Sequence, residues 1–332
     1  MTPSHQILVG DCIDMMRTLP DRSVQCCVTS PPYYGLRDYG VDGQIGLEET
    51  PADFIARVVE VVRGVRRVLR DDGTAWVNMG DSYASGGRGG GGSFMAERGD
   101  GAWQGKGQAT GWRSAPAGLK HKDLMGMPWR LAFALQDDGW YLRQDIIWHK
   151  PNPMPESTRD RCTKAHEYLF LLSKSPRYYY DQASIREPAI GGQTEAAMQF
   201  GRNGPSGEHV IPGQRFAQHR PGRPAPTPVT DTRNKRRVWT VATAGYQGAH
   251  FATFPPDLIR PCILAGAPRG GVVLDPFGGA GTTAVVAMQE GRRSILSELN
   301  PEYAAMAERR IAAAWLDGAA QMDVFHDAAP AT

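Results

Sequence analysis

From Val272 to Glu290 the chain reads as a short apolar strand, a glycine-rich turn and a helix, the turn being Asp275-Pro276-Phe277-Gly278-Gly279-Ala280-Gly281-Thr282-Thr283. No other stretch constrains the fold as strongly. Residues without a Cβ let backbone amides close on a ligand, and the helix that follows points its positive end at the same place. Such a unit belongs in a largely parallel sheet with helices on its faces, where ligands sit beyond the carboxyl ends of the strands. The expected fold class is therefore α/β.

What the turn would hold follows from its neighbours. Ser294 to Leu299 reads as the next strand, and Glu298 in it lies 23 residues after Asp275. An acidic residue there typically holds ribose hydroxyls. A dinucleotide site is one reading, but Gly278-Gly279-Ala280-Gly281 is not the Gly-x-Gly-x-x-Gly turn that cradles a pyrophosphate. Asp275 and Phe277 beside the turn suit an adenosine with a sulfonium side chain better.

A second strand end carries chemistry. Val24 to Val28 reads as a short buried strand, and Thr29-Ser30-Pro31-Pro32-Tyr33-Tyr34 follows it. The two prolines stop the strand and leave a rigid loop beyond its carboxyl end. The Ser30 hydroxyl and the Pro31 carbonyl are acceptors that suit the amino group of adenine or cytosine. Holding both amino hydrogens would pull that nitrogen toward tetrahedral geometry and free its ring-delocalised lone pair, which is catalysis by positioning and electrostatics. Tyr33 could stack on the base, with Tyr34 as a pocket wall. Six residues alone are equally compatible with a proline-rich turn that closes a strand.

The 332 residues suffice for one large domain with an insertion or for two domains, and 41% hydrophobic content supports a sizeable core. No apolar run reaches membrane-spanning length, and Met1 to Gly10 carries no export signal. Five scattered cysteines, none spaced Cys-x-x-Cys, argue against a disulfide framework or a structural zinc and fit a reducing cytoplasm. The eight histidines form no ligand-spaced pair, so neither a metal site nor a metal-dependent nuclease is expected. The net charge of +2 hides an asymmetry: residues 150–240 carry 15 Lys/Arg against 8 Asp/Glu, while both flanks are net negative. A polyanion partner for that middle segment is one reading, and a solvated arginine-bearing loop is the other. Arg233, Lys235, Arg236 and Arg237 cluster there just before Trp239 and are candidates to track phosphates.

The remaining elements follow from periodicity and caps. Strands are expected at His5–Val9, Thr74–Met79, Trp140–Trp148 and Glu167–Leu172, the last paired with Arg177–Tyr180. Helices are expected from Cys12 to about Leu19, from Pro51 to a stop at Asp71-Asp72-Gly73, and from Pro128 to Gln136. A further helix is opened by Pro255-Pro256 and closed near Gly266, another runs from Thr283 to Glu290, and the last runs from Pro301 to about Leu316. Residues 82–122, with Trp103 and Trp112, read as a flexible insertion, 185–235 as irregular, and 319–332 as a fraying tail.

Together, the Ser30-Pro31-Pro32-Tyr33 loop, the basic middle and the Asp275-to-Thr283 turn resemble, in that order, the beta class of S-adenosylmethionine-dependent DNA amino-methyltransferases. The resemblance covers nearly all of the chain except the two low-complexity stretches. It implies a Rossmann-like methyltransferase fold with a mostly parallel central sheet and an inserted target-recognition region. The catalytic half is then 1–150, recognition 151–245 and the cofactor half 246–318. It implies catalytic roles for Ser30, Pro31, Pro32 and Tyr33. It implies S-adenosyl-L-methionine contacts at Asp11, Phe254, Pro255, Asp275, Phe277, Gly278, Gly279, Gly281, Thr282 and Glu298, although Asp11 reads equally well as a helix cap. Double-stranded DNA is the implied partner, with room for a homodimer and a cognate restriction enzyme. The target base would leave the stack to reach Ser30. Loops beginning with Ser resemble N4-cytosine enzymes and loops beginning with Asp resemble N6-adenine enzymes, so cytosine is favoured. The alternatives are a DNA-binding protein that keeps this fold without catalysis, and an RNA methyltransferase. Pro261-Cys262 matches the dipeptide of C5-cytosine enzymes, but Cys262 lies on the apolar side of a helix pattern and is expected in the core.

Overall fold

The computed structural model describes residues 5–36, 38–84, 119–189, 232–243 and 254–327, with side chains to 316. Ten strands are described: β1 (His5–Val9), β2 (Val24–Thr29), β3 (Leu69–Met79), β4 (Tyr141–His149), β5 (His166–Ser173), β6 (Glu187–Pro188), β7 (Thr232–Arg233), β8 (Val238–Thr240), β9 (Val272–Asp275) and β10 (Arg293–Glu298). The α-helices are α1 (Cys12–Arg17), α2 (Pro51–Val68), α3 (Met127–Asp137), α4 (Pro256–Gly266), α5 (Thr282–Gln289) and α6 (Pro301–Asp327). Two compact units emerge. The larger comprises 1–184 and 237–332, and the smaller, 185–236, contains the β6–β7 pair. Among the described residues no helix is long and apolar enough to cross a membrane.

The sheet of the larger unit runs β1-β10-β9-β2-β3-β5-β4-β8. Its first five strands are parallel, β5 runs antiparallel to both neighbours, and β8 is parallel to β4. From β2 the order proceeds one way through β3, and from β9 the other way through β10 and β1. The crevice at the carboxyl ends of β2 and β9 is thus a topological switch point, where open α/β sheets bind ligands. Cys26 and Cys27 of β2 pair with Val273 and Leu274 of β9. That pairing sets the Ser30 loop beside the glycine-rich turn.

Local sequence explains most elements. In α2, Thr50 caps the Asp53 amide, Pro51 occupies the first turn, and Phe54, Val58, Val61, Val62, Val65 and Val68 form the buried face. The expected stop at Asp71-Asp72-Gly73 is corrected: α2 ends at Val68 and β3 begins at once. Gly73 serves instead as a close approach, because a Cβ there would lie 2.8 Å from the Gln25 carbonyl oxygen and 2.6 Å from Leu69 Cγ. Lys174 pairs with Asp71, and the Tyr179 amide donates to the Asp72 carbonyl, so the segment after β5 ties down the start of β3. Arg177–Tyr180 is therefore not the strand partner of β5, whose neighbours are β3 and β4. The ends of the expected 82–122 insertion are ordered: Ala84 donates to the Asp123 carbonyl and Met125 to that of Ser82. Trp103 and Trp112 lie outside the described residues, as do 190–231. The last helix continues past Leu316 to Asp327.

Helix α4 packs on β2 and β3 through Gly266, where an added Cβ would sit 2.5 Å from Cys26 Sγ and 2.7 Å from Thr74 Oγ1. Burial pushes the Cys26 thiol up to about 12, so it is inert. Cys262, fully buried in the same helix, lies in the core, as expected. Gly266→Ala should overpack this contact and lower stability by about 1–3 kcal/mol, read as a fall in Tm by calorimetry.

Candidate active site

The carboxyl ends of β1, β2, β9 and β10 open into one cavity of about 580 Å³, within the usual range for small-molecule sites. Ser30, Pro31, Pro32 and Tyr33 line it from one side, and Asp275 to Ala280, Thr282 and Glu298 from the other. Asp11 and Phe254 also line it. The structure thus gathers most of the residues singled out above.

Three of them sit elsewhere. Pro255 is buried at the start of α4, and Gly281 (φ +78) starts α5 against Ala307, whose Cβ would lie 3.0 Å from an added Cβ. Neither lines the cavity. Tyr34, expected as a wall, is buried behind the loop, its hydroxyl donating to the Glu49 carbonyl at 3.1 Å and its ring 5.6 Å from Phe54.

Asp275 is 1% exposed, and both of its oxygens are engaged. Its Oδ1 accepts from Thr29 Oγ1 at 2.7 Å and from the Phe277 amide at 3.1 Å, and its Oδ2 accepts from Thr283 Oγ1 at 2.6 Å. Burial raises its pKa, against which these bonds hold it down. The carboxylate therefore braces the end of β2, the turn and the start of α5 to one another.

Glu298 is organised similarly. Oε2 accepts from the Gly279 amide at 2.8 Å and Oε1 from the Asn300 amide at 2.9 Å. Each oxygen keeps a lone pair for a ligand hydroxyl. Burial raises the pKa of Glu298 above the ordinary glutamate range. Asp11 does cap α1, accepting from the Ile13 and Asp14 amides at 2.8 and 3.2 Å, and Arg57 stands 3.5 Å from its other oxygen. It does so while lining the cavity, so both readings of this residue coexist.

On the Ser30 side the structure adds three residues that sequence reading missed. Ser30 Oγ donates to Asn78 Oδ1 at 3.3 Å. The Asn78 amide is oriented by its Nδ2, which donates to the Tyr168 carbonyl at 3.0 Å. Tyr33 OH lies 3.2 Å from the same Asn78 oxygen but 2.5 Å from Glu167 Oε2, to which it donates. Lys150 pairs with the other Glu167 oxygen and stands 4.3 Å from the Trp148 ring centroid. Burial, and then the Glu167 charge and bond, push the Tyr33 phenol well above its usual range, so it stays a neutral donor. Asn78 had a legible signal, a polar residue near the carboxyl end of an apolar strand. Glu167 did not, because it reaches this edge through the antiparallel direction of β5; Lys150 stands just past the carboxyl end of β4, and only that reversal supplies its partner.

The basic cluster is largely engaged. In the smaller unit Arg233 and Arg236 share Glu187 Oε1 at 2.8 and 2.6 Å. Burial works against ionising Glu187, but those bonds outweigh it and lower its pKa. In the larger unit Arg237 pairs with Asp145 at 2.9 Å.

The family model described as DNA methylase, N6_N4_Mtase, matches residues 24–309. The chain is 48% identical over 309 residues to the Type II methyltransferase M.SmaI of Serratia marcescens, covering 93% of this chain and 91% of that protein. It is 47% identical to the Type II methyltransferase M.Cfr9I of Citrobacter freundii, covering 91% and 86%. Among solved structures, the cytosine-N4-specific PvuII DNA methyltransferase shares the fold with a TM-score of 0.59 at 18% identity, covering 94% of this chain and 93% of that one. A Thermus thermophilus protein assigned as a DNA modification methylase, solved with S-adenosyl-L-methionine, shares it with a TM-score of 0.55 at 22% identity, covering 93% and 95%.

Asp275→Ala should lower stability by at least about 2 kcal/mol by leaving two buried threonine hydroxyls without their acceptor, measured by denaturant unfolding. Protonating Glu298 removes an acceptor from a backbone amide and from the ligand. Because its pKa is raised, S-adenosylmethionine affinity should be full at neutral pH and fall on acidification, starting at higher pH than an ordinary glutamate would give. Titration calorimetry across pH should show this fall in the wild type and a flatter, weaker profile in Glu298→Gln.

Proposed function

The chain belongs to the N4/N6 DNA methylase family and is a site-specific, S-adenosylmethionine-dependent DNA amino-methyltransferase; on that premise we propose that its target is N4 of cytosine, gripped at Ser30. The observation that carries the proposal is the fixed polarity of the Ser30 hydroxyl. Asn78 presents an oxygen because its amide nitrogen is committed to Tyr168, so the Ser30 proton points at Asn78. The Ser30 lone pairs then face the cavity and accept from an amino group. A neutral hydroxyl beside a neutral amide replaces the aspartate of adenine-type loops.

The residues fit the cofactor. Glu298 keeps acceptor capacity for ribose hydroxyls, Phe277 offers an apolar surface, and a Cβ at Gly279 (φ +50) would find nothing closer than the Phe277 carbonyl oxygen at 3.9 Å. The backbone there is open to a ligand. When bound, S-adenosylmethionine supplies an electrophilic methyl group. The protein's share is to hold the base amino group at Ser30 and the Pro31 carbonyl, to keep the Tyr33 ring in place through Asn78 and Glu167, and to set that site against the turn through Asp275. This is catalysis by orientation and preorganised electrostatics.

We read Lys235, Arg236 and Arg237 as phosphate contacts by their charge and place in the basic middle segment. Arg233, tied to Glu187 and only one-third exposed, fits that role least. The Type II relatives support a restriction–modification setting with a cognate restriction enzyme. A homodimer is part of the same proposal and is read by light scattering.

Base-resolved modification sequencing of DNA from a methylation-deficient bacterial host expressing this chain should show N4-methylcytosine in one sequence context. Ser30→Ala should cut the rate about 10²–10³-fold, the usual effect of losing one preorganised hydrogen-bonding group. N6-methyladenine in that context would overturn the cytosine assignment.

A further inference from the structure

Met154 is 80% exposed, the most exposed of the large hydrophobic residues among those described, yet it also lines the active-site cavity. A single exposed apolar side chain is ordinary on a protein surface. The loop that carries this one is not. It joins β4 to β5, and its sequence, Pro151-Asn152-Pro153-Met154-Pro155, fixes φ on both sides of the methionine. Its base is closed by the Lys150 amide donating to the Ala165 carbonyl at 2.8 Å. Asn152 is clamped in both directions: its Oδ1 accepts from the Thr243 amide at 2.9 Å and its Nδ2 donates to the Thr243 carbonyl at 3.3 Å. Beyond the apex, Glu156 pairs with Arg161, whose guanidinium lies 3.9 Å from the Tyr83 ring centroid. Between Pro151 and Lys164 the sequence holds no other large apolar side chain, while Arg159 on the same loop is exposed.

A rigid, proline-braced apex that holds one flexible apolar side chain in water, at the mouth of the cavity containing Ser30, has the form of a wedge. Methylating a base amino group requires the base to leave the helix, which costs a few kcal/mol and opens a gap in the stack. Proteins that distort duplexes insert Met, Leu, Ile, Phe or Pro as apolar wedges between base steps, and the same side chains suit a gap in the stack. We propose that Met154 enters the DNA stack and occupies the space vacated by the target base, with Arg159 against a neighbouring phosphate. The inference rests on the base-methylating function stated above. It assigns Met154 to the duplex, whereas Ser30 and Tyr33 hold the extruded base.

The two roles separate experimentally. Methylation is timed on a duplex bearing the site found by modification sequencing, and on the same duplex with an abasic residue opposite the target. The second substrate lacks the pairing partner and the stacking that a wedge must replace. Met154→Ala should be at least ~10-fold slower than wild type on the intact duplex and within about twofold on the abasic one. Met154→Leu, which keeps an apolar wedge, should stay near wild type on both. With 2-aminopurine at the target position, Met154→Ala should show a smaller rise in fluorescence on binding. Equal loss on both duplexes would overturn the proposal in favour of a simple wall of the cavity, and no loss on either would overturn it outright. Failure of the wild type to methylate either duplex would instead sink the functional reading beneath it.

Discussion

The molecule depends on one buried carboxylate. Asp275 accepts from Thr29, Thr283 and the Phe277 amide, and so reaches a group 246 residues away in the chain. A carboxylate this deeply buried is costly unless its lone pairs are occupied. Here two hydroxyls and an amide occupy them, and each comes from a different part of the site. Thr29 is the last residue of β2 and adjoins Ser30. Phe277 lies in the glycine-rich turn, and Thr283 in the first turn of α5. The interaction that satisfies Asp275 is therefore the one that sets the Ser30 loop and the glycine-rich turn side by side.

A second polar chain fixes the acceptor side. Lys150 pairs with Glu167, Glu167 holds the Tyr33 hydroxyl, and Asn78 holds Ser30. Each member has its donor or acceptor role forced by the next. The Asn78 amide cannot turn without losing the Tyr168 carbonyl. The result is a hydroxyl whose lone pairs are turned to the cavity before any substrate arrives, which is where preorganisation gains its catalytic effect. The same region carries Trp148, Lys150 and Met154 from the end of β4, so the group that braces Tyr33 and the exposed methionine share one support.

Much of this was legible in the sequence, and particular residues show why. Strand–turn–helix patterning located β9, the glycine-rich turn and α5 within a residue or two, because glycine, proline and apolar periodicity act locally. Thr50 and Pro51 announced the start of α2 for the same reason. The errors fell where a local signal was overridden by contacts distant in sequence. Asp71-Asp72-Gly73 has the composition of a helix stop, yet its glycine is needed where β3 approaches Gln25, and the Asp72 carbonyl and Asp71 carboxylate are held by the segment after β5. Arg177–Tyr180 has strand composition but no strand partner.

The sequence by itself determined the chemistry available: a hydroxyl and prolines after one strand, an acid and glycines after another, and an acid at the end of a third. Those assignments need only residue type and strand-end position, both local properties. Tertiary structure alone decided how the groups are used. It made Asp275 a brace as well as a cavity residue, made Asp11 a cap and a cavity residue at once, and engaged Arg233, Arg236 and Arg237 with carboxylates. By reversing β5 it also brought Glu167 to Tyr33 and to Lys150 at the end of β4. The physical reason is that a hydrogen-bonding group declares its type in the sequence, but its partner is set by strand order and direction, which no local pattern encodes.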